Sequence, residues 1–547
     1  MPENFHELLK QDFSDLQAAV KTWQKLAQEL EEAQVQHRHK VTGPLHAGKW
    51  EGADARTAFR KMEASETQLG VAQSDVSSIA TVLDTVHVRM KLAQDKLRQG
   101  VRDAEADGYT VDDHGTVTDS RSGTTDADDA EAQAAEKQRV AVMGVYQGIV
   151  QDSIDNATSA SWEGMQLLQS IDAFTLDKDY GASKAREGAR KVADSLFQIG
   201  DEFIPSDKDP KENAKWWAGL TPQERQLYID ACPEKIGWLD GIPTTDRDEA
   251  NRKYLDNSLS EYDLKKQNGD LGIHDERQYG GLRKLQNALD ESDGDSDENK
   301  RLFVLGIDTK SDGRAIVAKG NPDTADNVAI QVPGTGNDLS NVDEQIDRAG
   351  ILQKSANDND GTQKTAVVSW LGYNAPEADA SVATPARARE GEADLRAFTH
   401  GLRESHHGDR AHMSVLGHSY GSTMVGAAAS GGKGIDADDI IVVGSPGMTV
   451  DHAKDLHMDP GHVWAGYAKD DPVSLITSDK TLGGNPADKE FGGKVFGVDT
   501  EGHSGYWDED SASLQNQGRI IVGQAPSEED YHVPPKYVPP GTVGPKW

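Results

Sequence analysis

The sequence has almost no cysteine, since Cys232 is the only one among 547 residues. A single cysteine excludes an intramolecular disulfide and a cysteine-based zinc cluster. No run of 18 apolar residues occurs, so the sequence predicts no membrane-spanning helix. The first residues, MPENFHELLKQDF, lack the basic and apolar regions of a Sec-type signal peptide. We therefore expect a protein that is cytoplasmic or that is secreted by a non-Sec route.

Positive charge is also scarce, because 57 Lys and Arg residues stand against 93 Asp and Glu residues, a net charge of 57 − 93 = −36. Nucleic acids and anionic membranes repel such a surface, so neither is expected as the main partner. The acidic stretches SANDNDG and DESDGDSDE lack the ligand spacing of an EF-hand. The PGTG turn lacks the Lys and Ser/Thr of a P-loop. We predict no metal, no cofactor and a small-molecule or lipid-like substrate.

The N-terminal part, residues 1–204, is predicted to be an all-α domain. Apolar residues recur every three or four positions along two stretches, and a Gly- and Pro-containing break separates them. This pattern predicts an antiparallel hairpin of two long helices. A polar segment that forms a small hairpin or loop follows, and then a third helix at about 130–169. The apolar seams comprise Leu9, Phe13, Leu16, Val20, Trp23, Ala27 and Leu30 in the first helix and Val76, Ile79, Leu83, Val86, Met90, Ala93 and Leu97 in the second.

Residues 205–298 are predicted to form a mostly helical bridge or cap segment, and residues 299–525 an α/β domain. Eight short apolar runs alternate with stretches of helical pattern after residue 299, which is typical of a mostly parallel sheet covered on both faces. Residues 526–547 are rich in Pro and Gly and are predicted to be an extended tail. The eight runs are RLFVLGI, RAIVAKG, NVAIQVPG, TAVVSWLG, MSVLGHS, DIIVVGS, HVWAGYA and KVFGVD.

The segment MSVLGHSYGSTMVGAAA contains the pattern G-x-S-x-G around Ser419. An apolar run precedes the pattern and a stretch of small residues follows it, as the strand–turn–helix of a nucleophile elbow requires. Gly417 and Gly421 permit the close approach of strand and helix. The segment therefore predicts an α/β-hydrolase fold with Ser419 as the nucleophile.

A nucleophilic serine needs a base and a group that orients the base, and in this fold they follow the serine in the order acid, then histidine. Asp470 and Asp471 follow the HVWAGYA run. We predict Asp471 as the acid, because Pro472 ends the strand there, with Asp470 as the alternative. His503 follows the KVFGVD run and is the predicted base.

Two backbone N–H groups are predicted to bind the oxyanion of the reaction. One belongs to Tyr420, the residue after the nucleophile. The other is expected in the loop after an early strand, where the PGTG turn offers Thr335 or a neighbour.

Residues 216–523 resemble a family of actinobacterial α/β-hydrolases of unknown function, similar to lipase and esterase folds. The resemblance implies Ser419, Asp471 and His503 as a catalytic triad and a carboxylic ester as the substrate class. Peptidase and acyltransferase activities remain open at this stage. The matching stretches are WWAGL, DGIPTTDRDEANRKYL, VPGTGNDL, VVSWLGYNAP, VLGHSYGS, VVGSPGM and GHSGYWDEDSASL.

The N-terminal part is similar to WXG-type helical hairpins associated with type VII secretion. The tripeptide Trp50-Glu51-Gly52 stands at the break between the two predicted helices, and a second WEG occurs at residues 162–164. The resemblance implies an alternative function: an interaction or effector protein whose helical part pairs with a partner or serves as a secretion module. Solvent exposure of Trp23 and Leu83 would favour a helical partner.

Overall fold

The computed structural model describes residues 4–42, 44, 50, 52–121, 130–171, 182–197, 204–205, 209–293, 295, 297–475 and 481–527. The predicted tail from residue 528 onward and most of the Gly- and Pro-containing break lie outside these residues. The chain divides into two compact units: Met1–His37 with Glu63–Gly200, and Arg38–Met62 with Asp201–Trp547.

The N-terminal part of the chain is mainly helical. Helix α3 contains 54 residues, and a π-helical turn at Arg38–Thr42 follows helix α2. Strands β1 and β2 pair as a short antiparallel hairpin between α3 and α4. The elements are α1 (Phe5–Lys10), α2 (Ser14–His37), α3 (Ala53–Ala106), β1 (Tyr109–Val111), β2 (Val117–Asp119), α4 (Ala130–Ser170) and α5 (Ala182–Phe197).

Helices α2 and α3 form the predicted antiparallel hairpin, since Phe13 lies against His87 and Gln34 lies against Gly70, but the single first helix that the seam predicts is wrong. Gln94 Nε2 of α3 donates hydrogen bonds to the carbonyl oxygens of Leu8 and Gln11, 2.8 and 2.7 Å away. The chain breaks between α1 and α2 because the Asp12 carboxylate accepts from the Ser14 N–H at 2.9 Å and begins a new helix there. Trp23 and Leu83 are both half-buried.

Within the described residues 209–293, five α-helices lie before the large sheet. Helix α7 begins with a capping box: the Glu224 N–H donates to Thr221 Oγ1 at 3.2 Å, and the Thr221 N–H donates to Glu224 Oε2 at 2.7 Å. Cys232 is buried. No described helix is long and apolar enough to cross a membrane. The helices are α6 (Pro210–Gly219), α7 (Pro222–Ala231), α8 (Pro233–Ile236), α9 (Thr244–Asn268) and α10 (Ile273–Asp293).

All eight predicted apolar runs form strands of one sheet, in the order β10-β9-β8-β7-β5-β6-β4-β3. Strand β4 runs antiparallel to both of its neighbours, and the other adjacent pairs are parallel. The strands are β3 (Leu302–Asp308), β4 (Arg314–Lys319), β5 (Asn327–Val332), β6 (Thr365–Leu371), β7 (His412–His418), β8 (Asp439–Val443), β9 (Val463–Gly466) and β10 (Lys494–Val495).

Helices cover both faces of this sheet, which explains why its strands are nearly continuous apolar runs. Every residue of β3, β5, β6 and β8 is buried. Because β5 and β7–β9 are parallel, the loops after them lie at one edge of the sheet, where ligands bind in open α/β folds. The helices after β5 are α11 (Val342–Asn359), α12 (Ala386–Ser405), α13 (Tyr420–Ser430) and α14 (Ala512–Ile521).

Candidate active site

Ser419 occupies a sharp turn between β7 and α13. Its backbone has φ 54° and ψ −131°, a conformation that a residue with a side chain rarely adopts and that costs free energy. The turn is held by its own helix, because the Ser422 N–H and hydroxyl both donate to the Ser419 carbonyl oxygen at 3.0 and 2.6 Å. Ser419 is half-buried at this edge of the sheet.

Gly417 and Gly421 permit this turn because neighbouring backbone atoms occupy the space that a Cβ atom would need. A Cβ on Gly417 would lie 2.6 Å from Ser422 Cα, inside the space of the following helix. A Cβ on Gly421 would lie 2.1 Å from the carbonyl oxygen of Val332, at the end of β5. Neither neighbour can rotate away as a flexible side chain could.

We expect Gly421→Ala to lower the free energy of unfolding by about 2 kcal/mol or more, because the backbone at the end of β5 must shift. Thermal unfolding of the purified variant would show this as a lower midpoint. Gly280 in α10 is the matched control, since a Cβ there meets no atom within 4 Å. Gly280→Ala should be neutral or stabilising by up to about 1 kcal/mol. Equal midpoints for the two variants would contradict the packing argument.

The structure brings Asp471 and His503 together and leaves Asp470 outside the pair. His503 Nδ1 lies 2.9 Å from both carboxylate oxygens of Asp471, whose side chain is completely buried. Asp470 is exposed, and its carboxylate accepts from the Gly502 N–H at 2.5 Å. Asp470 therefore contacts the backbone next to His503, whereas Asp471 contacts the imidazole ring.

Further donors surround the Asp471 carboxylate. The Tyr506 hydroxyl donates to Oδ2 at 2.6 Å, and the Val473 N–H donates to Oδ1 at 2.9 Å. Burial alone would raise the pKa of Asp471, but the hydrogen bonds from His503 and Tyr506 outweigh it and hold the pKa below its usual value. Burial, and then the adjacent Asp471 charge, raise the pKa of the Tyr506 hydroxyl. The carboxylate is therefore ionised and the phenol is protonated at neutral pH.

The PGTG turn after β5 lies against the nucleophile turn. A Cβ on Gly334 would lie 2.9 Å from Ser419 Cβ and 3.0 Å from the Tyr420 nitrogen, so the two loops are in contact there. Thr335 is half-buried beside it. Within the part of the chain that the structure describes, neither the Tyr420 N–H nor the Thr335 N–H donates a hydrogen bond.

Gly444, directly after β8, lies between the turn that contains Ser419 and the Asp471–His503 pair. The Ser419 N–H donates to the carbonyl oxygen of the preceding Val443 at 3.1 Å. A Cβ on Gly444 (φ 56°) would lie 2.8 Å from Asp471 Oδ2 and 3.0 Å from His503 Cε1. The three predicted residues thus share one edge of the sheet, although no hydrogen bond joins Ser419 Oγ and His503 in the described structure.

Sequence reasoning missed the roles of Tyr506 and Gly444. Tyr506 follows His503 by three residues, and Gly444 follows an apolar strand as Gly334 does, so both carried a positional signal. Their contacts with Asp471 nevertheless join residues about 30 positions apart, and local patterns do not specify such contacts.

A separate cavity of about 450 Å³ contains none of the three predicted residues in its lining. Trp238, Trp370 and Phe398 contribute its aromatic walls, and Arg314 and Lys310 are among its charged residues. Among the residues that the structure describes, no group of three or more His, Cys, Asp or Glu side chains could hold a metal ion.

The sheet order, the helices on both faces and the strained serine turn define an α/β-hydrolase fold in the C-terminal part of the chain. Residues 308–479 match a family model described as alpha/beta hydrolase. This match includes Ser419 and Asp471, and His503 lies beyond it.

The chain is also similar to uncharacterized mycobacterial proteins. One from Mycobacterium tuberculosis is 32% identical over 374 residues, which cover 59% of this chain and 57% of the relative. One from Mycobacterium bovis is 29% identical over 203 residues, which cover 35% of this chain and 73% of the relative. The chain therefore spans little more than half the length of the first relatives it matches.

Proposed function

We propose that this protein is a serine hydrolase that acts on carboxylic esters. The observation that carries the proposal is the contact of His503 with the buried Asp471 carboxylate at the same sheet edge as Ser419, which stands on a strained strand-to-helix turn. The match to a hydrolase family model supports the reaction class. The ester class rests on the resemblance of the sequence to lipase and esterase folds.

The proposed reaction uses each group according to its hydrogen bonds. Asp471 can only accept, so His503 Nδ1 carries a proton and Nε2 is free to remove the proton of Ser419 Oγ. The Ser419 oxygen then attacks the ester carbonyl carbon. The ionised Asp471 carboxylate orients the imidazole and stabilises the imidazolium that forms.

The Tyr420 and Thr335 N–H groups are proposed to donate to the oxyanion of the tetrahedral intermediate. Neither has an intramolecular acceptor in the described structure, and α13 directs its positive end toward the same position. When the intermediate collapses, His503 returns its proton to the leaving alcohol, and Ser419 keeps the acyl group. Water, activated by His503, then releases the carboxylic acid.

Labelling with a fluorophosphonate probe tests this proposal, because such probes form a covalent bond only with an activated serine. We expect one probe per chain, located on Ser419 by peptide mass spectrometry. Three kinds of substrate then separate the activities. A panel of p-nitrophenyl esters of different chain length measures esterase activity, a peptide amide measures peptidase activity, and an added alcohol acceptor measures acyl transfer. An unlabelled Ser419 in folded protein would refute the proposal.

The second candidate function is pairing or type VII secretion through the N-terminal region. Its supporting observation is Trp50 of the Trp-x-Gly tripeptide, which is 45% exposed and contacts Phe59 with a ring-centroid distance of 5.6 Å. Export from a mycobacterial host with and without a type VII apparatus tests it. We expect export to depend on the apparatus and to fall for Trp50→Ala, and apparatus-independent localisation would refute it.

A further inference from the structure

His418, the residue before the nucleophile, directs its side chain toward the predicted base. Its Nε2 lies 2.8 Å from the carbonyl oxygen of His503, and the two imidazole rings lie 4.7 Å apart at an interplanar angle of 34°. Trp507 meets the His418 ring edge-on, also at 4.7 Å. The His418 side chain is therefore packed between the base and the short helical turn that follows it.

The hydrogen bond defines the tautomer of His418. A carbonyl oxygen only accepts, so Nε2 must carry the proton and donate it. Burial, and then the neighbouring His503, lower the pKa of His418 to about 3. Other groups that act on it are Arg348 and Asp471, and the Tyr506 ring lies 6.0 Å away. His418 is thus neutral over the pH range in which a serine hydrolase works, so its ring adds no positive charge beside His503.

We propose that His418 is a positioning residue, which holds the loop that carries His503 in register with Ser419. This inference rests on the proposed function, since it assigns a role in the same reaction. Two adjacent residues would then position both groups of the proton transfer. The Ser419 backbone positions the nucleophilic hydroxyl, and the His418 side chain positions the His503 base. The second residue of G-H-S-Y-G thereby gains a function that the motif alone does not assign.

The geometry explains why this position requires a hydrogen-bond donor. The His503 ring contacts Asp471, but the His503 backbone lies in a loop. The hydrogen bond from His418 Nε2–H to the His503 carbonyl oxygen joins that loop to strand β7. Removal of the donor leaves the His503 carbonyl without this partner. A shift of about 1 Å in a reacting group is enough to lower a rate about a hundredfold.

Two variants separate the donor from the ring. His418→Phe keeps an aromatic ring and removes the N–H, whereas His418→Gln removes the ring and keeps a donor that can reach the same carbonyl. Fluorophosphonate labelling of the full chain gives two quantities: the maximal labelling rate, which depends on the Ser419–His503 geometry, and the half-saturating probe concentration, which depends on binding. Thermal unfolding reports the effect on stability.

We expect His418→Phe to lower the maximal labelling rate about tenfold or more with the half-saturating concentration unchanged, and His418→Gln to remain within about threefold of wild type. Wild-type rates for the Phe variant, or equal losses in both variants, would overturn the proposal. If the Phe variant does not fold, the Gln variant decides: retention of the rate supports the donor role, and a tenfold loss in folded protein overturns it. A wild-type chain that is not labelled on Ser419 instead refutes the proposed function itself.

Discussion

Ser419→Ala is expected to lower kcat/KM for p-nitrophenyl esters at least about a thousandfold, because the proposed covalent intermediate cannot form without the hydroxyl. The remaining backbone donors could still stabilise an oxyanion, so some rate above that of the uncatalysed reaction should persist. Steady-state hydrolysis across a range of ester concentrations measures the loss.

Ser430→Ala is the matched control for this variant. Ser430 is the last residue of α13, the helix that begins after Ser419, and its hydroxyl donates to the Gly426 carbonyl oxygen at 2.7 Å. We expect kcat/KM within about twofold of wild type for this control, because the substitution lies at the far end of α13 and removes only a hydrogen bond within that helix. Ester turnover by Ser419→Ala at more than a tenth of the wild-type rate would show that another residue is the nucleophile.

The sequence allowed the α/β fold to be predicted because burial on both faces makes parallel strands visible as apolar runs. All eight predicted runs became strands, including HVWAGYA and KVFGVD, which contribute only four and two paired residues. The order of the strands in the sheet could not be predicted, because apolar runs do not specify which strands pair. The break before Ser14 was missed because the apolar period continues through it, whereas the new helix begins where the Ser14 N–H donates to the Asp12 carboxylate.

The candidate site also has some features that local sequence predicts and others that depend on contacts between distant residues. The strained turn at Ser419 could be predicted because it depends on local sequence: Gly417 makes room for the backbone of the following helix, and Gly421 for the end of β5. The choice between Asp470 and Asp471 could not be resolved as firmly, because both follow the same strand and only the path of the turn decides which side chain is buried. Tyr506 and His418 act through contacts with residues 35 and 85 positions away, for which no sequence spacing is diagnostic.

Asp471→Asn is expected to lower kcat/KM about 10³–10⁴-fold, because an amide cannot satisfy the donors that surround the carboxylate. His503 Nδ1–H, the Tyr506 hydroxyl and the Val473 N–H all donate to Asp471, and the amide group of Asn offers one acceptor atom and one donor atom. The amide N–H₂ favours an imidazole with its proton on Nε2, which cannot then accept the proton of Ser419. Ester hydrolysis and fluorophosphonate labelling should decline together, since both require that proton transfer.

Asp470→Asn separates this effect from a general loss of negative charge in the same turn. Asp470 is exposed and accepts one hydrogen bond, from the Gly502 N–H, which the oxygen of an Asn amide can also accept. The substitution removes the same unit of charge one residue away and leaves the Asp471–His503 pair intact. We therefore expect kcat/KM within about threefold of wild type, in line with the small worth of exposed charges. A larger loss for Asp470→Asn than for Asp471→Asn would reverse the assignment of the acid, because the exposed carboxylate would then have to reach His503 during the reaction.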